Sequence, residues 1–115
     1  MFDVLIVGGG VAGVSCALVL GSALPKPYAV GKKVGIFTHQ KSSNLQEALF
    51  NNAYGIAPGT TGASLLAQST EQLATQYPDV MQLPHEKVLK ISGEAPEFTV
   101  TTNKGTYQTR ALVIA

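Results

Sequence analysis

"FDVLIVGGGVAGVSCALVL", residues 2–20, holds an apolar run, three consecutive glycines and a second apolar run within nineteen positions. Val4 to Val7 is a continuous aliphatic stretch ended by Gly8, the pattern of a strand buried on both faces in a parallel sheet. From Val11 the period changes: Val11, Val14, Leu18 and Gly21 recur at helical spacing, and Pro25 sets the latest end of a helix. Gly8-Gly9-Gly10-Val11-Ala12-Gly13 therefore places GxGxxG between a strand and a helix, the context in which that motif carries meaning. Gly8 permits a tight turn, Gly10 lets backbone approach a pyrophosphate, and Gly13 lets the helix press against the sheet. Ala17 continues the small face. The first helical turn, with Val11 and Ala12, presents unpaired N–H groups and a partial positive charge to a diphosphate.

The totals narrow the function. The chain has 115 residues, the length of one domain, with 45% hydrophobic and 13% charged residues. Charge is thus below the roughly 25% of an average soluble domain, and much of the surface is expected to be covered by something outside these residues. A formal net charge of +1 provides no field to gather nucleic acid or an anionic membrane. Cys16 is the only cysteine, which excludes a disulfide framework, a CxxC pair and a thiolate metal site within these residues. On a buried helix face it is expected to be inert. Asp3 precedes the apolar start, no basic segment precedes it and glycines interrupt it, so it does not read as a signal peptide. No run reaches the roughly 18 to 20 apolar residues of a membrane span. The expectation is a soluble, cytoplasmic protein in a reducing compartment.

Residues 21–33, with Pro and Gly punctuation and three lysines, read as an exposed connection to a second buried strand, Val34 to Thr38. The stretch from His39 to Gly62 reads as ordered loop with a short helix around Leu45 to Leu49 and turns at Asn51-Asn52 and Pro58-Gly59. Ala63 to Tyr77 returns to helical spacing through Leu66, Leu73 and Tyr77, with Thr61 as N-cap and Pro78 closing it. "KVLKISG", "EFTVTTNKG" and "GTYQTR" then predict two or three antiparallel strands, placed directly after the second helix, and "ALVIA" at 111–115 a further, fully buried strand.

The end of the second strand bears on which dinucleotide is held. An acid there would hold ribose hydroxyls, but Thr38 takes that position and no Asp or Glu occurs between Asp3 and Glu47. Thr38 can hydrogen-bond a hydroxyl, whereas His39 and Lys41 suit a 2′-phosphate. His85, beside Pro84, reads as a surface histidine. These residues leave NAD, NADP and the adenosine half of FAD open. The antiparallel segments discriminate further, because a plain nicotinamide-binding domain continues with strand-helix crossovers.

"DVLIVGGGVAGVSCA" (3–17), "GIAPGTTGASLL" (55–66) and "EFTVTTNKGTYQTRALVIA" (97–115), in that order, resemble the first part of the FAD domain of two-dinucleotide-binding flavoprotein reductases. The resemblance is to the pyridine nucleotide-disulfide oxidoreductase superfamily, in its thioredoxin reductase-like branch. It implies an α/β fold: a Rossmann-like, three-layer ββα domain of the FAD/NAD(P)-binding kind with a central parallel sheet and an antiparallel β-meander. It further implies that residues 1–115 are the N-terminal part of an FAD-binding domain in a longer enzyme. By the same resemblance Gly8, Gly10 and Gly13 surround the FAD diphosphate and Thr38, followed by His39, lies near the adenosine ribose. Lys87 and Val88 offer backbone contacts to the adenine, and Pro58 and Gly59 form a turn near the flavin side.

The activity implied is transfer of electrons from NADPH or NADH through FAD to an acceptor, small molecule or protein. No residue here forms an acid, base or nucleophile pair, so no catalytic residue is expected within the segment, and a homodimer is the assembly expected. Two alternatives remain at this stage: an NADP-binding oxidoreductase domain without flavin, and a noncatalytic dinucleotide-binding module that senses redox state.

Overall fold

The computed structural model describes residues 1–39 and 44–115. Its centre is β1 (Phe2–Val7), which pairs in parallel with β2 (Val34–Phe37) on one side. Between them runs helix α1 (Val11–Ala23), ended two residues before Pro25, and a short 3-10 turn at Pro27–Ala29. All four residues of β2 are buried, which explains why its sequence is apolar without alternation. Lys41 lies outside the described residues.

After β2 come a 3-10 turn, Asn44–Glu47, and a small antiparallel pair, β3 (Leu49–Phe50) with β4 (Thr60–Thr61). The short helix expected from Leu45 to Leu49 is thus a 3-10 turn that ends at Glu47, and Leu49 lies in a strand. Helix α2 (Gly62–Gln76) follows, and the Thr61 hydroxyl accepts the Ser64 N–H at 3.1 Å, the N-cap read from the sequence.

The stretch after α2 departs from the expectations. The second helix does not lead directly into the meander: β5 (Met81–Gln82) pairs in parallel with β2 first, extended by the Leu83 N–H donating to the Ile36 carbonyl at 2.8 Å. A strand of two residues between Pro78 and Pro84 leaves no periodic signal to read. Nor is "ALVIA" a strand of its own. Residues Thr106–Ile114 form one strand, β8, because nothing in "QTR" (108–110) breaks the chain.

The first half of β8 pairs antiparallel with β7 (Glu97–Thr102), which pairs antiparallel with β6 (Val88–Glu94). Its second half pairs in parallel with β1, from Phe2 opposite Thr109 to Val7 opposite Ile114. One strand thus joins the parallel sheet to the meander, giving the order β5-β2-β1-β8-β7-β6. The 111–115 stretch is not fully buried either; Ile114 is 67% exposed. Residues 111–114 pair along one edge only, with β1, because the pairing of β8 with β7 ends at Thr109.

The sheet separates two cores. On the helix side Ile6, Val34 and Ile36 pack with Val14 and Ala17 of α1, Leu73 of α2, and Val80. On the other side Phe2, Leu5 and Phe37 pack with Val100 of the meander. Tyr107 stands edge-on to Phe37 at 5.7 Å between ring centres and to Phe2 at 6.1 Å. These are the three layers expected: helices, parallel sheet, meander. Within α1 the buried face is Gly13, Val14, Ala17 and Gly21; Val11, grouped with it by spacing, is 57% exposed. Among the described residues no helix is long and apolar enough to cross a membrane.

Candidate functional site

The glycine turn is built by close contact between backbones. Gly8 adopts φ +129°, a region that side chains rarely allow, and a Cβ there would strike the carbonyl of Ala115. Ala115 is drawn in by its own N–H, which donates to the Val7 carbonyl at 2.9 Å. A Cβ on Gly13 would collide with the Gly8 carbonyl, so α1 rests directly on the turn. Gly9, which the motif leaves unspecified, is equally constrained: its Cβ would lie 2.7 to 2.8 Å from the Thr38 backbone. The third consecutive glycine was a legible clue, since the motif requires only its neighbours.

Gly10 is the N-cap of α1, with no side chain capping the helix and no acidic residue in the first turn. Its carbonyl accepts the first helical hydrogen bond, from the Val14 N–H at 3.0 Å. The N–H groups of the preceding turn lack helical partners by geometry, and Val11 and Ala12 stand exposed there. An apolar strand end, a helix start without a carboxylate and backbone free of side chains together suit an anionic group.

Beside the turn lies a cavity of about 370 Å³ lined by Val7, Gly8, Phe37, His39, Glu86, Lys87 and Val88. Four sequence-selected residues, Gly8, His39, Lys87 and Val88, thus share one space at the C-terminal ends of β1 and β2. A second space of about 550 Å³, lined by Thr38, His39, Gln46, Pro84, His85, Lys87 and Asn103, shares His39 and Lys87 with it. Thr38 is 6% exposed, and its hydroxyl oxygen is buried without a hydrogen-bond partner among the described residues. Pro58 and Gly59 are not brought to either space. They sit in the exposed connection between β3 and β4, where the Gly59 N–H donates to the Phe50 carbonyl at 2.8 Å and φ is +87°.

The principal residue that sequence reading missed is Glu86. It is 8% exposed, and its carboxylate accepts the Tyr107 hydroxyl at 2.6 Å and the Thr102 hydroxyl at 2.8 Å. The Thr102 oxygen itself accepts the N–H groups of Lys104 and Gly105, at 3.1 and 3.2 Å. Next to Glu86, the Lys87 N–H donates to the Asn103 side chain at 2.9 Å and the Asn103 N–H returns to the Lys87 carbonyl at 3.2 Å. The 86–88 segment is in this way tied to the turn between β7 and β8. Its donors lie 16 and 21 residues away, beyond any local pattern.

The hydrogen bond to Glu86 raises the Tyr107 phenol above its usual range, helped by burial and by repulsion between phenolate and carboxylate. The folded state therefore holds this proton more tightly than the unfolded chain. That contribution to stability is full below about pH 10 and is lost as pH rises through the folded pKa. Tyr107→Phe is expected to lower the melting temperature by several degrees at pH 8, and the gap from wild type should narrow above pH 10. A gap that stays constant across that range in thermal melts would contradict this linkage.

Residues 2–115 match the family described as pyridine nucleotide-disulphide oxidoreductase. A ferredoxin–NADP reductase from Levilactobacillus brevis is 31% identical over 114 residues, which is 99% of this chain and 33% of that protein. Among solved structures, a thioredoxin reductase from Gloeobacter violaceus superposes with a TM-score of 0.80 at 27% identity, over 98% of this chain and 36% of its own. An oxidoreductase from Agrobacterium tumefaciens gives 0.76 at 26% identity, over 98% and 35%. The chain spans about a third of the length of each of these relatives.

Proposed function

The chain belongs to the pyridine nucleotide-disulphide oxidoreductase family, and on that basis we propose that it binds and orients the ADP half of FAD in a flavoprotein that takes electrons from NADPH or NADH. The observation that supports this best is the side-chain-free turn at Gly8, Gly9 and Gly13 beside an uncapped helix start, with a cavity running from it to Lys87. Gly10, Val11, Ala12 and Gly13 would hold the diphosphate through backbone N–H groups. The Thr38 hydroxyl, without a partner among the described residues, lies at the strand end where a ribose is expected, and the backbone of Lys87 and Val88 would border the adenine. Once bound, FAD supplies the hydride and electron transfer. The segment's own part is positional: it fixes the cofactor and contributes no acid, base or nucleophile.

On this reading residues 1–115 are the N-terminal part of an FAD domain, and the acceptor, whether small molecule or protein, is met by other parts of the enzyme. Pro58 and Gly59, outside both cavities, would contribute on the flavin side, and a homodimer is the proposed assembly. One observation favours a second reading, a flavin-free NADP-binding oxidoreductase domain: no carboxylate follows β2, and His39 and Lys87 line the cavity.

Denaturing the purified protein and identifying the released nucleotide by chromatography and absorption spectrum separates the two. FAD in near-stoichiometric amount is the expected result. NADP without flavin would replace this reading with the second, and no nucleotide, even after incubation with each, would remove both.

A further inference from the structure

We propose that Glu86 is the acceptor for the ribose hydroxyls of the bound adenosine, in place of the carboxylate missing after β2, and that it selects a ribose carrying no 2′-phosphate. The inference rests on the dinucleotide reading above. Glu86 is the one carboxylate lining the cavity that also contains Gly8, Phe37 and His39, the residues at the ends of β1 and β2. A carboxylate offers about four acceptor positions. Tyr107 and Thr102 occupy one on each oxygen, which leaves capacity for two donors from the cavity.

Three features fix and charge this group. The reciprocal bonds between Lys87 and Asn103 hold the backbone beside it. The two hydroxyl donors hold the carboxylate itself. Among the described residues its partners are neutral, since the ion pairs there all involve Asp3. A buried carboxylate without a cation gains from further hydrogen-bond donors, which a ribose diol provides and a phosphate does not. A 2′-phosphate would instead bring like charge up to a buried carboxylate. His39 and Lys87 line the same cavity and pull the other way, so the ratio of two affinities decides the matter.

The test is calorimetric titration of the protein, freed of nucleotide, with ADP-ribose and with its 2′-phosphate, for wild type and for Glu86→Gln. Wild type is expected to favour ADP-ribose at least about tenfold, and Glu86→Gln to weaken ADP-ribose by about tenfold while leaving the 2′-phosphate form unchanged or tighter. If Glu86 only supports the fold, both ligands weaken alike and the ratio stays as in wild type, which overturns the proposal. Should Glu86→Gln fail to fold, as circular dichroism would reveal, the wild-type ratio decides: tenfold or more for ADP-ribose supports the assignment, and any smaller preference overturns it. A parallel titration with FAD separates the two levels of argument. Wild type that binds FAD without the expected ratio removes only the role of Glu86; wild type that binds neither FAD nor ADP-ribose removes the dinucleotide reading itself.

Discussion

Gly13→Val is expected to leave little folded protein at 37 °C. A Cβ at this position collides with the Gly8 carbonyl, which is main chain and cannot rotate away. Gly8 in turn is held against Ala115 at the end of β8 and requires its positive φ. The clash can be relieved only by moving α1 off the sheet, which opens the cluster of Ile6, Val14 and Ala17 with Val34 and Ile36. Overpacking of ordinary side chains costs about 1 to 3 kcal/mol; a backbone collision that parts a core should exceed about 4 kcal/mol. Against a typical total of about 5 to 15 kcal/mol, that is a large share of the stability. Gly13→Ala carries the same Cβ against the same carbonyl, so it too should be strongly destabilised, and valine exceeds it only by what its γ-carbons add. Thermal melts by circular dichroism read both, and a Gly13→Val protein that melts within a few degrees of wild type would show that the helix does not depend on this contact.

The same contacts explain which parts of the molecule its sequence discloses. β1, the glycine turn, α1, β2 and α2 are specified locally: an unbroken apolar run, a change of period, a cap at Thr61 and stops near Pro25 and Pro78. Their order suffices to place Gly8 beside His39. β5 escapes because its two residues gain their structure from pairing with β2, not from any pattern of their own. The unity of β8 escapes for a related reason. Its two halves differ in composition because they have different neighbours, β7 for one and β1 for the other, and a change of neighbour resembles a change of element when only one strand is read. Glu86 is the most instructive case. An isolated glutamate between a histidine and a lysine resembles solvated surface, and only the return of Thr102 and Tyr107 across the meander makes it a buried, hydrogen-bonded wall of the cavity. Non-local hydrogen bonding has no signature in spacing, so the site is legible where backbone forms it and hidden where long-range side chains do.

Gly10→Val should behave in the opposite way to Gly13→Val, and the contrast tests the site more sharply than either alone. Gly10 has φ −82° and ψ −163°, extended backbone that any residue can adopt, and its structural duty is performed by its carbonyl, which accepts the Val14 N–H. Replacing glycine at an N-cap by an apolar residue costs about 1 kcal/mol, so the melting temperature should fall by only a few degrees. Binding should suffer far more. The isopropyl group stands at the entrance of α1, beside first-turn N–H groups that a diphosphate would use, and it both blocks approach and holds water away from the charge. Loss of two charge-assisted hydrogen bonds corresponds to a fall in FAD affinity of at least about a hundredfold. Fluorescence titration of the folded variant measures it directly. Unchanged FAD affinity in a folded Gly10→Val protein would mean that the diphosphate lies elsewhere; a large loss of affinity with the fold intact would separate the glycine that serves the cofactor from the glycines that serve the turn.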